Sequence, residues 1–272
     1  MNLFQFAVQN DPNLRTQFDE MKSRSKDGGR QLELFAARVQ ATGRVSINMR
    51  PSVLTGLVTG GRHQNVYEWA DEQFRLSLRP TIEILQEKLG AYYRRRIHFD
   101  DAFDQGRQFR YGALNIGGLG SHRYGQFCTV LASEFVASED LTAYLMGDSL
   151  QTYVPTEIDV DTARLQREVT THSHVQYLAA VKHSAEIPES SESDWPGMVC
   201  RDDCYVEAIF LKDVELSSVD QVRISQAEYD RLFDLAFSDY TQSHDDATHS
   251  LKADFVCILR ASHEGHLTLE RI

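Results

Sequence analysis

The sequence predicts an α+β protein whose strands form mostly antiparallel sheets. Runs typical of strands cluster from about residue 105 onward, and amphipathic patterns typical of helices lie between and before them. The two patterns do not alternate regularly, as they would in a parallel βαβ sheet. The 272 residues are 42% hydrophobic, which is enough for a sizeable core. We expect a polar segment over residues 1–28 and a single domain over residues 29–272.

Composition and charge exclude several classes of partner. A net charge of -12 argues against binding of nucleic acid, which requires a basic face. No apolar run approaches the length of a membrane span, so we expect no membrane partner. The N-terminus lacks the basic and apolar regions of a secretory signal. The four scattered cysteines are typical of reduced thiols, so the chain is expected to have a cytoplasmic fold.

The first third of the chain contains four recognisable elements. Apolar spacing predicts helices over residues 31–39, 52–58 and 80–93, and alternation predicts a strand over residues 44–49. The segment 22–30 is predicted to be a mobile link. Arg94, Arg95 and Arg96 are expected to form a solvated helix end, where the helix dipole favours cations.

The stretch 110–131 is the predicted working surface. It contains a strand over residues 111–116, a glycine-rich loop, a polar cluster over residues 121–124 and a second strand over residues 127–131. Glycines let the backbone approach a ligand closely, although an ordinary tight turn would use them as well. The glycine spacing does not match a dinucleotide fingerprint, and a strand follows instead of a helix. Such a loop suits a nucleotide bound in a cleft between sheets.

The second half of the chain mixes strands, helices and polar loops. Residues 141–146, 204–211 and 221–224 are predicted strands, residues 226–237 a helix, and residues 187–197 and 239–251 loops. Residues 159–181 are predicted to be mostly helical, with His172 and His174 exposed. Residues 254–259 and 267–272 are predicted to form a terminal hairpin.

Glu207 is the anomaly in the predicted strand 204–211. It shares its face with Tyr205, Ile209 and Leu211, while Val206, Ala208 and Phe210 lie on the other face. A carboxylate is expensive to bury unless it is paired or used in chemistry. The alternative is an edge strand with Glu207 facing water.

Cysteine and histidine residues offer a weak metal site. One hypothesis joins Cys200 and Cys204 with His172 and His174 in a zinc site, but the cysteine spacing is unusual for zinc. We therefore expect no metal.

Several blocks resemble a bacterial family of uncharacterised proteins associated with the mono-ADP-ribosyltransferase fold. The blocks occur in the family's order between about residues 44 and 225, and the YGALN and YVEA segments are the most specific. The resemblance implies two mostly antiparallel sheets around an NAD cleft, with helices packed outside. The matching blocks are residues 46–51, 61–68, 111–115, 123–125, 147–149 and 205–208.

The resemblance also implies site residues. Arg50 stands where that family is expected to have His, and transferases of the arginine-serine-glutamate class have an Arg on the first core strand. Tyr205 stands where that class has Glu or Gln, which leaves the acceptor side chain open. Ser121 matches the middle position poorly, and Tyr124 is its alternative. The implied catalytic residues are Glu207, Arg50 and Ser121, and the implied NAD-binding residues are Arg50, Tyr111, Gly118, Ser121, Arg123, Tyr124 and Tyr205.

The function implied is transfer of ADP-ribose from NAD to a target protein, as expected of a bacterial effector or toxin. Cleavage of the nicotinamide bond develops positive charge on the ribose, which a carboxylate such as Glu207 would stabilise. An arginine fork such as that of Arg50 matches a pyrophosphate. Two alternatives remain open. One is an NAD glycohydrolase on the same fold, and the other is a non-catalytic module that binds a protein through residues 187–203.

Overall fold

The computed structural model describes residues 1–24, 28–138, 140–237 and 246–272. Over these residues it contains thirteen α-helices and ten β-strands, which confirms the α+β class. Most strands belong to one large, mostly antiparallel sheet. The strands are β1 (Arg44–Met49), β2 (Arg62–His63), β3 (Arg110–Asn115), β4 (Phe127–Leu131), β5 (Thr142–Leu145), β6 (Val169–Thr170), β7 (Glu207–Phe210), β8 (Val214–Glu215), β9 (Val219–Ile224) and β10 (Leu269–Arg271).

The helices vary from one turn to 22 residues, and several short ones lie in the connections between strands. The helices are α1 (Leu3–Arg24), α2 (Gly28–Thr42), α3 (Pro51–Gly60), α4 (Val66–Ser77), α5 (Thr81–Leu89), α6 (Tyr93–Asp101), α7 (Ser133–Val136), α8 (Ser149–Thr152), α9 (Thr162–Leu165), α10 (Val175–Lys182), α11 (Trp195–Val199), α12 (Gln226–Phe237) and α13 (Asp246–His263).

The large sheet has eight described strands in the order β10-β9-β4-β1-β3-β7-β5-β6. All neighbours are antiparallel except β9 and β10. The expected pair of sheets is therefore replaced by one large sheet and a small β2-β8 ladder. Strand β1 lies between β3 and β4: residues 44–46 pair with β3 on one side, and residues 46–49 pair with β4 on the other.

Two apolar clusters cover the two faces of β7. Val206, Ala208 and Phe210 belong to the main core with α2, α10 and α13. Ile209 belongs to a second core, against which Leu211 packs. The predicted alternation along this strand is therefore confirmed.

The N-terminal segment is helical and integrated into the fold. Leu3, Ala7, Leu14 and Phe18 of α1 are buried at helical spacing, and α1 packs against α2, α10 and β6. The carboxylate of Asp11 accepts hydrogen bonds from Thr170 and Thr171. Helix extends over residues 22–24 and 28–30 of the predicted mobile link, and residues 25–27 lie outside the described residues.

Several predicted elements differ from the structure. The expected helix 80–93 is α5, a 3-10 turn and the start of α6. The expected helix 159–181 is interrupted because the β-branched pair Val169 and Thr170 forms β6 against β5. Part of the loop expected at residues 187–197 belongs to α11.

The predicted terminal hairpin is wrong. Phe255 and Ile258 are buried one helical turn apart in α13, and β10 pairs with β9 instead. The predicted loop 239–251 enters α13 at residue 246, and residues 239–245 lie outside the described residues. His172 and His174 are half-buried, because their ring nitrogens face Tyr144 and Asp11 respectively.

Candidate functional site

Glu207 is buried at the start of β7, in the middle of the large sheet. It pairs across the sheet with Ala113 of β3 and Leu145 of β5, and 4% of its surface is exposed. Its Oε2 accepts a 2.7 Å hydrogen bond from the backbone amide of Ser149. The prediction of a buried carboxylate is confirmed, and the edge-strand alternative is wrong.

A second carboxylate, Asp148, lies beside Glu207 at the N-cap of α8. Its Oδ1 accepts hydrogen bonds from the amides of Leu150 and Gln151, and its Oδ2 accepts one of 2.6 Å from the Tyr205 hydroxyl. Burial, reinforced by the charge of Asp148, raises the pKa of Glu207 to about 8. The site therefore has an excess of carboxylate, which favours a positively charged ligand.

Arg96 of α6 is the nearby cation that opposes this rise in the pKa of Glu207. It is 11% exposed, lies 3.7 Å above the Tyr111 ring centroid, and is 3.3 Å from Asp100 Oδ1. Its other terminal nitrogen is 3.5 Å from Ser149 Oγ. The predicted solvated helix end is therefore wrong for Arg96, because α6 continues past this residue and packs it against β3 and α8.

Asp100 anchors the inner end of this network. Its carboxylate accepts hydrogen bonds from the hydroxyls of Tyr111 and Tyr67, the latter at 2.7 Å. Burial raises the pKa of Asp100, against the opposing effect of Arg96. Burial also raises the pKa of both tyrosines, so that they remain protonated donors. Arg96 is thereby held rigidly against the Tyr111 ring.

A chain of aromatic side chains leads from Asp148 to the surface. The Tyr205 hydroxyl is 2.8 Å from the Tyr124 hydroxyl, and Tyr124 is exposed at the rim. Burial of its hydroxyl end raises the pKa of Tyr124 to about 12. Arg123 donates a hydrogen bond to Tyr92 and lies near both Tyr92 and Tyr124 rings. The rim is therefore aromatic and cationic, whereas the interior is anionic.

Ser121 and Gly118 lie in a neighbouring region. Ser121 Oγ donates a 2.7 Å hydrogen bond to Asp202, and its amide donates to Asn48 Oδ1. A Cβ on Gly118 would lie 2.8 Å from the Pro196 carbonyl oxygen, and Gly120 has a positive φ of 68°. These glycines are needed for a tight loop beside a cavity of about 460 Å³. That cavity is lined by Gly118, Leu119, Gly120, His122, Gly197, Cys200, Arg201, Asp202 and Ile272.

Arg50 is exposed at the start of α3 and is separated from Glu207. Ser46, Ala113 and Glu207 are in register across three strands. Arg50 follows Ser46 by four residues along β1, about 13 Å, and β1 is two strands, about 9.5 Å, from β7. Within the described parts of the chain, the structure brings Glu207, Tyr111, Tyr124, Tyr205 and Arg123 into one network, and places Arg50 and Ser121 outside it.

The cysteine and histidine residues considered for zinc are dispersed. Cys200 faces the Leu114 carbonyl, whereas His172 and His174 contact other elements. A different group, His183, Glu186 and Cys204, has ligand atoms within 4.8 Å of one another. Arg201 forms a 2.7 Å ion pair with Glu186, so a cation already compensates this group.

Sequence reasoning missed Arg96 and Asp100 as site residues, and included Asp148 and Ser149 only as part of a resembling block. The carboxylate-containing turn 147–149 was a usable signal, because Asp is a preferred helix N-cap. Nothing local to α6 indicated that Arg96 would stack on Tyr111. That contact joins elements that are distant in the sequence.

No known protein family, curated protein or solved structure matches this chain. The geometry around Glu207 is therefore the basis for the function proposed for this chain.

Proposed function

We propose that this protein is an NAD-dependent mono-ADP-ribosyltransferase that transfers ADP-ribose to a target protein and releases nicotinamide. The observation that carries the proposal is the buried Glu207 beside Asp148, which hydrogen bonds through Tyr205 link to Tyr124 in an aromatic and cationic rim. Such an arrangement suits a substrate whose reacting end is positively charged. In this proposal the protein acts as an effector or toxin on a protein of another cell.

The proposed reaction breaks the bond between ribose C1′ and the nicotinamide nitrogen. The bonding electron pair leaves with the nitrogen, so nicotinamide departs neutral and the ribose develops oxocarbenium charge. Ionised Glu207 stabilises that charge in a site from which water is largely excluded. The acceptor nucleophile then bonds to C1′ and loses its proton to solvent.

The raised pKa of Glu207 fits this role. Without substrate, the burial of Glu207 and the repulsion from Asp148 favour the protonated form near neutral pH. The nicotinamide ring of NAD carries a positive charge, which lowers the pKa of a nearby carboxyl on binding. Substrate binding would therefore ionise Glu207 where the developing charge requires it.

The rim supplies groups for the remainder of NAD. Tyr124 and Tyr92 offer ring faces for a base, and Arg123 offers a guanidinium for the pyrophosphate. Arg50 lies just past the end of β1, where an extended dinucleotide would place its more distant phosphate or adenosine. Ser121 would position the loop through Asp202 instead of contacting the reacting ribose.

The test is incubation of the purified chain with NAD labelled in its adenylate part, with and without a cell lysate. Nicotinamide release is measured by chromatography, and protein labelling by electrophoresis. Glu207→Gln should reduce release by about 10²–10³-fold, the loss typical of removing one electrostatic stabiliser. Glu134→Gln, which changes an exposed glutamate, is the matched control.

The outcomes separate the candidate functions. Release together with a labelled protein supports the transferase. Release without any labelled protein supports the glycohydrolase. Absence of NAD binding in calorimetry contradicts both and favours the protein-binding module.

A further inference from the structure

Helices α4 and α5 form a hairpin whose apex exposes large apolar side chains. The hairpin apex comprises residues 74–82, FRLSLRPTI. Leu76 and Leu78 are 75% and 79% exposed, and Phe74 and Ile82 are exposed as well. The helices pack together through Ala70, Ile84 and Leu85, closer to the base of the hairpin. The apolar apex is therefore not needed for the hairpin's own core.

Leu78 also adopts an unfavourable backbone conformation. It is the C-cap of α4 with a φ of 58°, and its amide donates to the Phe74 carbonyl. Glycine or asparagine is favoured in this left-handed conformation, and leucine is strained there. A leucine that is both strained and exposed contributes little to folding, which suggests a role outside the fold.

The charge at the apex is positive, although the whole chain is acidic. Arg75 and Arg79 flank Leu76 and Leu78, and no acidic residue occurs between Glu72 and Glu83. Arg79 forms an ion pair with Glu87, and no ion pair of Arg75 is found within the described ranges. The apex therefore combines exposed leucines with arginines, as segments that lie in a membrane interface do.

We propose that the hairpin apex docks the protein peripherally on an anionic lipid surface. The leucines would enter the boundary between headgroups and acyl chains, while the arginines remain at the level of the phosphates. Among the described residues, no helix is long and apolar enough to cross a bilayer, so the proposal departs from the expected absence of a membrane partner only at the interface. The acidic remainder of the chain would be repelled, which orients the molecule with the apex toward the lipid.

The convex shape of the apex favours lipid over a protein surface. A protein partner would need a matching cavity to enclose a turn with leucines on it, whereas a bilayer deforms around it. A second copy of this chain is disfavoured as the partner, because the arginines of the two apices would face and repel each other. Leu76 lies nine residues along α4 from Tyr67, or about 14 Å, so its variants do not touch the site network.

The test is flotation of the full chain with vesicles of phosphatidylcholine alone or with one third phosphatidylserine. We expect binding only to the anionic vesicles, weakened between about 0.1 M and about 0.5 M salt. The double variant L76S/L78S should lose affinity about tenfold or more. R75Q/R79Q should lose about fivefold for each arginine and remove the preference for phosphatidylserine.

Two further variants distinguish docking from a structural role. L78G relieves the strained φ, so its melting temperature should be no lower than that of the wild type. Because the variant also lacks the leucine side chain, it should bind anionic vesicles more weakly than the wild type does. Ile158→Ser removes an exposed isoleucine elsewhere and should bind as the wild type does. The proposal is overturned if the apex variants and the Ile158 variant bind alike. It is equally overturned if the apex supports only self-association or protein contact without vesicle binding.

Discussion

Glu207 accepts its 2.7 Å hydrogen bond from the amide of Ser149, the residue that directly follows Asp148. One tight turn therefore supplies both a donor that favours the ionised form of Glu207 and a charge that opposes it. The opposing effects, burial and the charge of Asp148, are the larger ones, and the pKa of Glu207 is raised to about 8. The protonation state of Glu207 is thus set first by its burial, and then by turn 147–149 and Arg96.

The first prediction concerns how the free energy of unfolding depends on pH. The pKa of Glu207 is about 8 in the folded state and 4.5 for an ordinary glutamate, so the folded state binds more protons between these values. The contribution of Glu207 to the free energy of unfolding is fully present below pH 4.5 and is lost as pH rises through 8. Its slope is at most about 1.4 kcal/mol per pH unit. Denaturant titrations at several pH values measure it.

The matched control for this prediction is Glu207→Gln. Glutamine is close in shape to a protonated glutamate and does not ionise. The difference in unfolding free energy between variant and wild type should therefore grow in favour of the variant as pH rises from about 5 to about 8. A difference that does not change with pH would contradict the raised pKa.

The second prediction concerns the pH dependence of turnover. In the proposed reaction Glu207 acts as a carboxylate, so kcat/KM should rise with pH through an apparent pKa near 8. The corresponding limb of kcat should lie at lower pH, because the bound nicotinamide cation favours ionised Glu207. Initial-rate measurements of nicotinamide release across pH would test both limbs. A kcat/KM profile that falls across this range would oppose a carboxylate role.

The third prediction concerns Asp148. Asp148→Asn keeps an oxygen to accept the two backbone amides of α8 but removes the negative charge beside Glu207. The pKa of Glu207 should fall, and the kcat/KM limb should move to lower pH. The N-cap is preserved because asparagine caps helices as well as aspartate does. If the variant melts at the wild-type temperature and the apparent pKa of its kcat/KM profile does not change, Asp148 does not control the pKa of Glu207.

The fourth prediction concerns Arg96. Arg96→Gln leaves buried Asp100 without its cation, which should destabilise the fold by about 3–5 kcal/mol. Arg96→Lys should recover part of this loss, because lysine keeps the charge but not the planar stacking on Tyr111. Chemical denaturation measures both. Arg94→Gln, at an exposed position in the same helix, is expected to change stability by less than about 0.5 kcal/mol.

Local sequence patterns were sufficient to predict much of the fold and one important residue of the site. Residues 44–49, 127–131 and 226–237 have the predicted structure because their alternation or helical spacing is complete within a few residues. Glu207 was found for the same reason: it is a carboxylate within an otherwise apolar strand. Its burial followed from its immediate neighbours, without knowledge of the partner strands.

What the sequence did not reveal depends on contacts between distant segments. Arg96 reaches Tyr111 and Ser149 only because α6 packs near β3 and against α8. The separation of Arg50 from Glu207 follows from the strand order, which places β3 between β1 and β7. Order along the chain suggested that these residues converge, but strand order is set by long-range pairing.

The fifth prediction concerns helix α1, whose polar composition concealed a regular buried stripe. Leu14 is fully buried in the main core, whereas Val8 of the same helix is exposed. Leu14→Ala should therefore lower the free energy of unfolding by about 2–5 kcal/mol, through lost burial and the cavity left behind. Val8→Ala, the matched control, should change it by less than about 0.5 kcal/mol. If both variants unfold as the wild type does, residues 1–24 are separable from the remaining domain, as their polarity alone would suggest.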